Sequence, residues 1–323
     1  MLESAENWLT EVKNIAVLGA GTMGHGIGQV FALAGYDVML YDIDDAILQR
    51  AMARIDSNLD VFIENGLATE EAKQRALSKI NTTTDLATAV GEADFVLEAI
   101  PEMLELKQKT FHDVERMCRE GTILASNTSS FTISDIGALC QRQDNLAIAH
   151  WFNPPHIVPL VEVVKGPKTS PQTVECICAL LDKVGKKPVR IMKEVAGFLA
   201  NRMQMALFRE ACSLLERGVA GAEDIDTAVK ASFGFRLPTI GVFETMDLAG
   251  LDTVLRVAEE LFPDIENSIE VPRLIRELVR QGKFGAKTGE GVYQWPKQKL
   301  DALIRERDRQ FLQRLKQLYL DKA

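Results

Sequence analysis

Histidine and cysteine are scarce in this chain, with four and five copies in 323 residues. The cysteines (118, 140, 176, 178 and 212) are odd in number. Cys176 and Cys178 lack both the C-x-x-C spacing and the nearby histidines of a metal or redox pair. They read as reduced thiols of a cytoplasmic protein, with no disulfide framework and no metal site. No apolar run approaches the ~20 residues of a membrane span. The N-terminal MLESAENWL is acidic where a signal or transit segment would be basic. A net charge of −9 speaks against nucleic acid or an anionic membrane as a partner. Proline is absent before Pro101, so the first third is built of regular elements broken only by glycine. Internal repeats and low-complexity segments are absent too.

What is present is concentrated between Asn14 and Asp42. The apolar run Ile15 to Gly19 reads as a buried strand and leads into Gly19-Ala20-Gly21-Thr22-Met23-Gly24. A helical pattern follows (Ile27, Val30, Phe31, Ala34), stops at Gly35, and gives way to a second apolar strand ending at Asp42. Strand, glycine turn, helix, strand and acid, in that order, make a dinucleotide site. Gly19 permits the turn, Gly21 admits a pyrophosphate, and Gly24 allows close helix–strand packing. Thr22 and Met23 complete the phosphate-facing backbone at the helix N-terminus. Asp42 is placed to hold an unmodified ribose and to repel a 2′-phosphate, so NAD is expected over NADP. Asp44 or Asp45 is also a ready cap for the next helix.

Beyond Asp42, strand-like runs alternate with helical ones as far as Met192. Helices are expected over 44–65, 69–78, 104–119 and 171–184. Strands are expected over 93–100, 122–126, 145–150, 158–165 and 188–192. That alternation implies a Rossmann-like, doubly wound α/β sheet. From Phe198 onward only helical patterns remain, so an all-α C-terminal domain follows. The expected division is a cofactor domain over 1–193 and a substrate and dimerisation domain over 194–323. The segment 296–323 carries Leu300, Leu303, Ile304, Phe311, Leu312, Leu315 and Leu318 at helical spacing, a packing stripe.

Among the four histidines, His25 lies in the first turns of the glycine helix, His112 on an exposed-looking helix face, and His156 in a proline loop. His150 differs because it ends the apolar run Leu146 to Ala149, and ligands of open α/β sheets bind beyond the carboxyl ends of strands. A rigid turn, Trp151 to Pro155, follows, and then Glu162 inside the apolar Leu160 to Val164. A glutamate in such a run is costly unless paired. A returning strand would set it beside His150, giving a base oriented by a carboxylate; a satisfied core ion pair is the plainer alternative. Ser126 to Ser130 also follows a buried strand and offers hydroxyls to the same crevice, with Ser129 the candidate substrate contact and Asn127 a candidate cofactor contact. Asn201 and Arg202 open the long helix of the second domain.

At this point the chain resembles the L-3-hydroxyacyl-CoA dehydrogenase family over roughly 12–295. The resemblance rests on VLGAGTMGHGI at 17–27, EAIPE at 98–102, SNTSS at 126–130, HWFNP at 150–154, GFLANR at 197–202 and KTGEGVY at 287–293. It implies a two-domain NAD enzyme that oxidises the 3-hydroxyl of an acyl-CoA thioester. By motif match His150 would be the general base and Glu162 its orienting carboxylate. Ser129 and Asn201 would bind the reacting oxygens, Asp42 the ribose, and Glu102 and Lys107 the nicotinamide side. The helical domain is the usual contact of a homodimer in this family.

Three departures bear on the substrate. The helix after Asp42 lacks the bases that in the family meet CoA phosphates: Arg50 and Arg54 stand against Asp44, Asp45, Asp56, Asp60 and Glu64. The family's Gly-Tyr-Pro-Met-Gly-Pro-Phe loop reads here as Gly234 to Phe243, with Arg236 introduced and Val242 before Phe243. Lys193-Glu194-Val195 and Phe208-Arg209-Glu210-Ala211 look more like relatives that oxidise free acids such as carnitine and gulonate. SNTSS and KTGEGVY side with the acyl-CoA enzymes, which makes the thioester the expected substrate and a free 3-hydroxy acid the alternative. Arg236 is either a carboxylate contact or the partner of a surface acid such as Glu244.

Overall fold

Alternate residues of the short apolar runs face opposite sides of one sheet, so each run must be covered on both faces. The computed structural model describes residues 4–320. Its strands are β1 (Asn14–Leu18), β2 (Asp37–Tyr41), β3 (Ile80–Thr83), β4 (Phe95–Glu98), β5 (Ile123–Ser126), β6 (Leu146–Trp151), β7 (Leu160–Val164) and β8 (Lys187–Ile191). They form one sheet in the order β3-β2-β1-β4-β5-β6-β7-β8. The strands from β3 through β6 pair in parallel; β7 runs antiparallel to β6, and β8 parallel to β7. Ile15 and Val17 pack with Phe31, Leu48 and Ile55 on one side, whereas Ala16 and Leu18 pack with Val96, Phe111 and Leu124 on the other. The order of connection reverses between β1 and β4, which opens a crevice at their carboxyl ends.

This is the Rossmann-like α/β sheet expected, followed by a helical C-terminal region. The edge strand β3 escaped the reading because its sequence, Ile-Asn-Thr-Thr, buries only Ile80. An edge strand with one buried side chain has no apolar run to betray it. The returning strand β7 makes the sheet mixed rather than purely parallel.

The chain forms two units. One holds the residues up to Leu199 together with the segment from Asp308, and the other holds Ala200–Arg307. In the first unit, Leu312 of the last helix (Lys297–Leu315) is buried with Phe62 and Ile157, with Phe311 packed alongside, so this part of the apolar stripe serves packing. The second unit contains the helices Ala200–Glu216, Ala222–Ala231, Phe233–Arg236, Val242–Ala249, Leu251–Leu261 and Arg273–Arg280. Among its described residues there is no strand beyond isolated bridges at Gly285, Glu290 and Gln294. Cys212 is its one buried side chain among those residues, while Phe235, Phe243, Leu248 and Ile269 are exposed.

Candidate active site

The loop after β1 shows why its glycines are needed. Gly19 has φ +96°, and a Cβ there would lie 2.6 Å from the Ala99 carbonyl oxygen. A Cβ on Gly24 would lie 1.7 Å from the Gly19 carbonyl oxygen, so the helix Gly24–Leu33 begins against the loop itself. Gly21 differs: nothing lies within 4 Å of the position its Cβ would take. That opening beside the exposed Thr22 and half-buried Met23, at a helix N-terminus, suits a pyrophosphate. Asp42 follows β2; its Oδ2 accepts the Ala20 amide and its Oδ1 the Ile43 amide, both at 2.8 Å. Its carboxylate therefore shapes the glycine loop and retains lone pairs for a ribose. Asp44 caps the helix Asp45–Glu64 by accepting the Ala46 amide, so capping and ribose binding fall to different acids.

A second cluster joins the ends of β4 and β5. Glu98, fully buried, accepts hydrogen bonds from Lys107 Nζ (2.6 Å), Ser126 Oγ (2.6 Å) and the Ile100 amide (2.8 Å). Burial pushes its carboxyl above the ordinary range, against the pull of Lys107, Ser126 and the Ile100 amide. Lys107 also reaches Glu102 at 3.1 Å, and Glu102 accepts from the Thr128 hydroxyl and the Ser130 amide. Partial burial of Glu102 works upward, but Thr128 and Lys107 outweigh it and hold its carboxyl below the ordinary value. Lys107 thus departs from the expectation of a cofactor contact: its ammonium is buried and occupied by two carboxylates. Only Glu102 of that pair keeps an exposed edge. Asn127 spends its Oδ1 on the Trp151 amide at 2.8 Å, tying the end of β5 to the residue after His150. Ser129 is exposed on the same turn.

His150 and Glu162 stand directly opposite each other in the β6–β7 register. His150 Nδ1 lies 2.9 Å from Glu162 Oε2, with both side chains buried. Glu162 Oε1 accepts the Leu199 amide at 2.9 Å. An ionised carboxylate only accepts, so beside an ionised Glu162 the Nδ1 is the donor, and in the neutral ring Nε2 is then the nitrogen with a lone pair. Phe152 and Phe198 lie against the imidazole with ring centroids 4.6 and 5.5 Å away.

The turn beyond β6 is held from underneath. Lys186 Nζ donates to the Pro155 and Val158 carbonyls at 2.6 and 2.9 Å and lies 5.2 Å from the Trp151 ring centre. Burial pushes its ammonium down to about 7. His156 is pushed down to about 3, chiefly by burial. Its Nδ1 would lie 2.9 Å from a Cβ on Gly26, so that glycine exists to admit the turn. Glu98, Lys186, Gly26 and Phe198 were not singled out from the sequence. Glu98 could have been: it is an acid ending an apolar run, the signal that drew attention to Glu162.

In the second unit, Asn201 is partly buried in the first turn of the helix Ala200–Glu216. Arg236 ends its short helix with an exposed side chain and no ion pair among the described residues. Glu244 instead accepts the Gly241 amide at 2.6 Å and caps the start of the next helix, so among the described residues the Arg236–Glu244 pair does not form.

Two family models match the chain: the NAD binding domain of 3-hydroxyacyl-CoA dehydrogenase over residues 14–195, and its C-terminal domain over 197–295. The chain belongs to the 3-hydroxyacyl-CoA dehydrogenase family. It is an oxidoreductase of the dehydrogenase type, and NAD is its cofactor, in keeping with the open Gly21 loop and Asp42. Relatives within reach differ in substrate. The chain is 36% identical over 301 residues to 5-formyl-3-hydroxy-2-methylpyridine 4-carboxylate 5-dehydrogenase of Mesorhizobium japonicum, covering 93% of this chain and 96% of that one. It is 40% identical over 291 residues to the mitochondrial hydroxyacyl-coenzyme A dehydrogenase of Homo sapiens, covering 88% and 91%. A crystal structure of the pyridine carboxylate enzyme, described as an NAD+-dependent dismutase, superposes with a TM-score of 0.89 at 36% identity over 95% of this chain and 98% of that one.

Proposed function

We propose that this dehydrogenase acts on a small hydroxy acid bearing a free carboxylate, with His150 as general base. The observation that carries the base is the buried His150–Glu162 pair, which leaves Nε2 as the one nitrogen able to take a proton. NAD, when bound, supplies the hydride acceptor at the carbinol carbon. His150 Nε2 receives the hydroxyl proton as the carbonyl forms, and Glu162 balances the positive charge that develops on the ring. Ser129, exposed on the turn after β5, holds the reacting oxygen by a hydrogen bond. Asp42 receives the ribose, Gly19 to Gly24 the pyrophosphate, and Glu102 and Asn127 border the nicotinamide side, with Lys107 fixing Glu102.

Charge favours the free acid over a thioester. CoA carries a pyrophosphate and a 3′-phosphate, whereas the helix Asp45–Glu64 presents mostly acids. Lys73, which meets that helix, is already paired with Asp56 and Asp60. Among the described residues Arg236 has no ion pair, and a guanidinium grips a carboxylate in two places. The pyridine carboxylate relative points the same way. A 3-hydroxyacyl-CoA is the second reading, favoured by SNTSS and KTGEGVY and by the identity to the human enzyme. The test is turnover of 3-hydroxybutyryl-CoA against 3-hydroxybutyrate, carnitine, gulonate and a hydroxymethylpyridine carboxylate at equal concentration. Turnover of the thioester only, unaffected by Arg236→Ala, would overturn the free-acid reading.

The helical unit Ala200–Arg307, rather than all of 194–323, is assigned to substrate contact and to a homodimer. The exposed Met203, Met205, Leu207 and Phe208 of the helix Ala200–Glu216 support the latter, because a helix apolar on several sides needs covering on several sides. Sedimentation giving a monomer at micromolar concentration would refute it. The free cysteines suit the cytoplasm, and no described helix is long and apolar enough to cross a membrane.

A further inference from the structure

Phe198 is the one non-glycine residue with positive φ among the described residues, at +50°. That left-handed conformation is unfavourable for a residue with a Cβ and persists only where surroundings over-determine it. Glycine would sit there without penalty, and Gly197 beside it already has φ +74°. The chain nevertheless keeps a phenylalanine, and its ring is 3% exposed. Two consequences of this geometry meet at one place. The left-handed residue turns the following amide, that of Leu199, onto Glu162 Oε1 at 2.9 Å. The ring itself lies 5.5 Å from the His150 ring, tilted by 57°.

We propose that Phe198 is a positioning residue for the base: its backbone turn locks the rotamer of Glu162, and its ring packs against His150 together with that of Phe152. The inference rests on His150 being the base. The carboxylate has two oxygens and must point Oε2 at Nδ1; an N–H fixed on Oε1 removes the freedom to swing away. The imidazole, packed by two aromatic rings and tied to Glu162, then keeps Nε2 aimed in one direction. Both effects act on orientation, to which rate is far more sensitive than binding is.

The experiment compares Phe198→Leu, which keeps apolar volume, with Phe198→Gly, which keeps the backbone turn and removes the ring. Steady-state kinetics and the downfield Nδ1–H resonance of His150 are read together. The expected result is a fall in kcat on the order of tenfold for Phe198→Leu and more for Phe198→Gly. KM for NAD should stay within about twofold, and the resonance should broaden in step with kcat. A purely structural role would lower the melting temperature and leave kcat per folded molecule and the resonance unchanged. That outcome overturns the proposal. Should Phe198→Gly fail to fold, Phe198→Leu and Phe198→Met decide by the same two readouts. His150→Gln separates the levels. If that variant retains activity, the base assignment falls, while the resonance still reports on positioning. If it is inactive and the Phe198 variants are normal, only the positioning role falls.

Discussion

Glu162→Gln changes one oxygen into an NH2 group and leaves the shape of the buried pair intact. In the native site Oε2 accepts from His150 Nδ1–H and Oε1 accepts from the Leu199 amide. A glutamine offers one acceptor and one donor to these two donors. If its oxygen faces His150, its NH2 group meets the Leu199 N–H, donor against donor, at a cost of about 1–3 kcal/mol for the unsatisfied buried groups. If it turns over, the NH2 group forces Nδ1 to accept, the ring proton moves to Nε2, and the base is in the wrong tautomer. Either orientation also removes the negative charge beside the imidazolium that forms in the reaction. A charge-assisted hydrogen bond of this kind contributes about 1.5–3 kcal/mol. The donor clash is the same before and during proton transfer and lowers stability, whereas losing the charge, about 1.5–3 kcal/mol on the transition state, corresponds to a fall of about 10–10² in kcat. Steady-state oxidation with saturating NAD measures it, alongside fluorescence titration of NADH, which should be unchanged. A folded Glu162→Gln enzyme with kcat within about threefold of the parent would refute the argument, because neither the tautomer nor the charge could then matter.

Three further outcomes are expected. Asp42→Ser should weaken NADH by about 10–100-fold while NADPH changes little, since charged hydrogen bonds to the ribose are lost; equal effects on the two cofactors in titrations would mean Asp42 serves only the Ala20 amide. His156 stays neutral in the fold down to about pH 3 from an ordinary value of 6.5. The unfolded chain binds the extra proton in that window, so stability should fall as pH drops below 6.5, by up to ~1.4 kcal/mol per unit. Urea midpoints at pH 7 and 5 for the parent and His156→Gln would detect it, an equal slope in both refuting the assignment. Gly26→Ala would place a Cβ 2.8 Å from Pro155 Cγ and 2.9 Å from His156 Nδ1. Overpacking of about 1–3 kcal/mol should appear as a lower melting temperature, and an unchanged one would mean the turn gives way freely.

Much of the site could be read without the fold because its signals are local. The strand, glycine turn, helix and Asp42 lie within about 30 residues, and their order alone implies the crevice and its dinucleotide. His150 and Glu162 stood out because a polar residue in an apolar strand must be satisfied by something, and the proline turn between them left few alternatives. What local pattern could not show was which groups would occupy one another. The resemblance put Lys107 along the nicotinamide side; only the approach of β4 buries its ammonium on Glu98. Gly26 looks like one more residue of the glycine motif until the turn at His156 is packed against it. Arg236 and Glu244 were close enough in sequence to pair, but the helix start at Val242 claims the acid first. Phe198 carries no sign of a left-handed backbone, because backbone strain is sustained by distant neighbours and not by the residue that bears it. Periodicity and composition therefore decided most of the elements, the cofactor and the candidate base. Contacts between residues far apart in sequence decided the edge strand β3, which charges are free, which are spent, and how His150 is held.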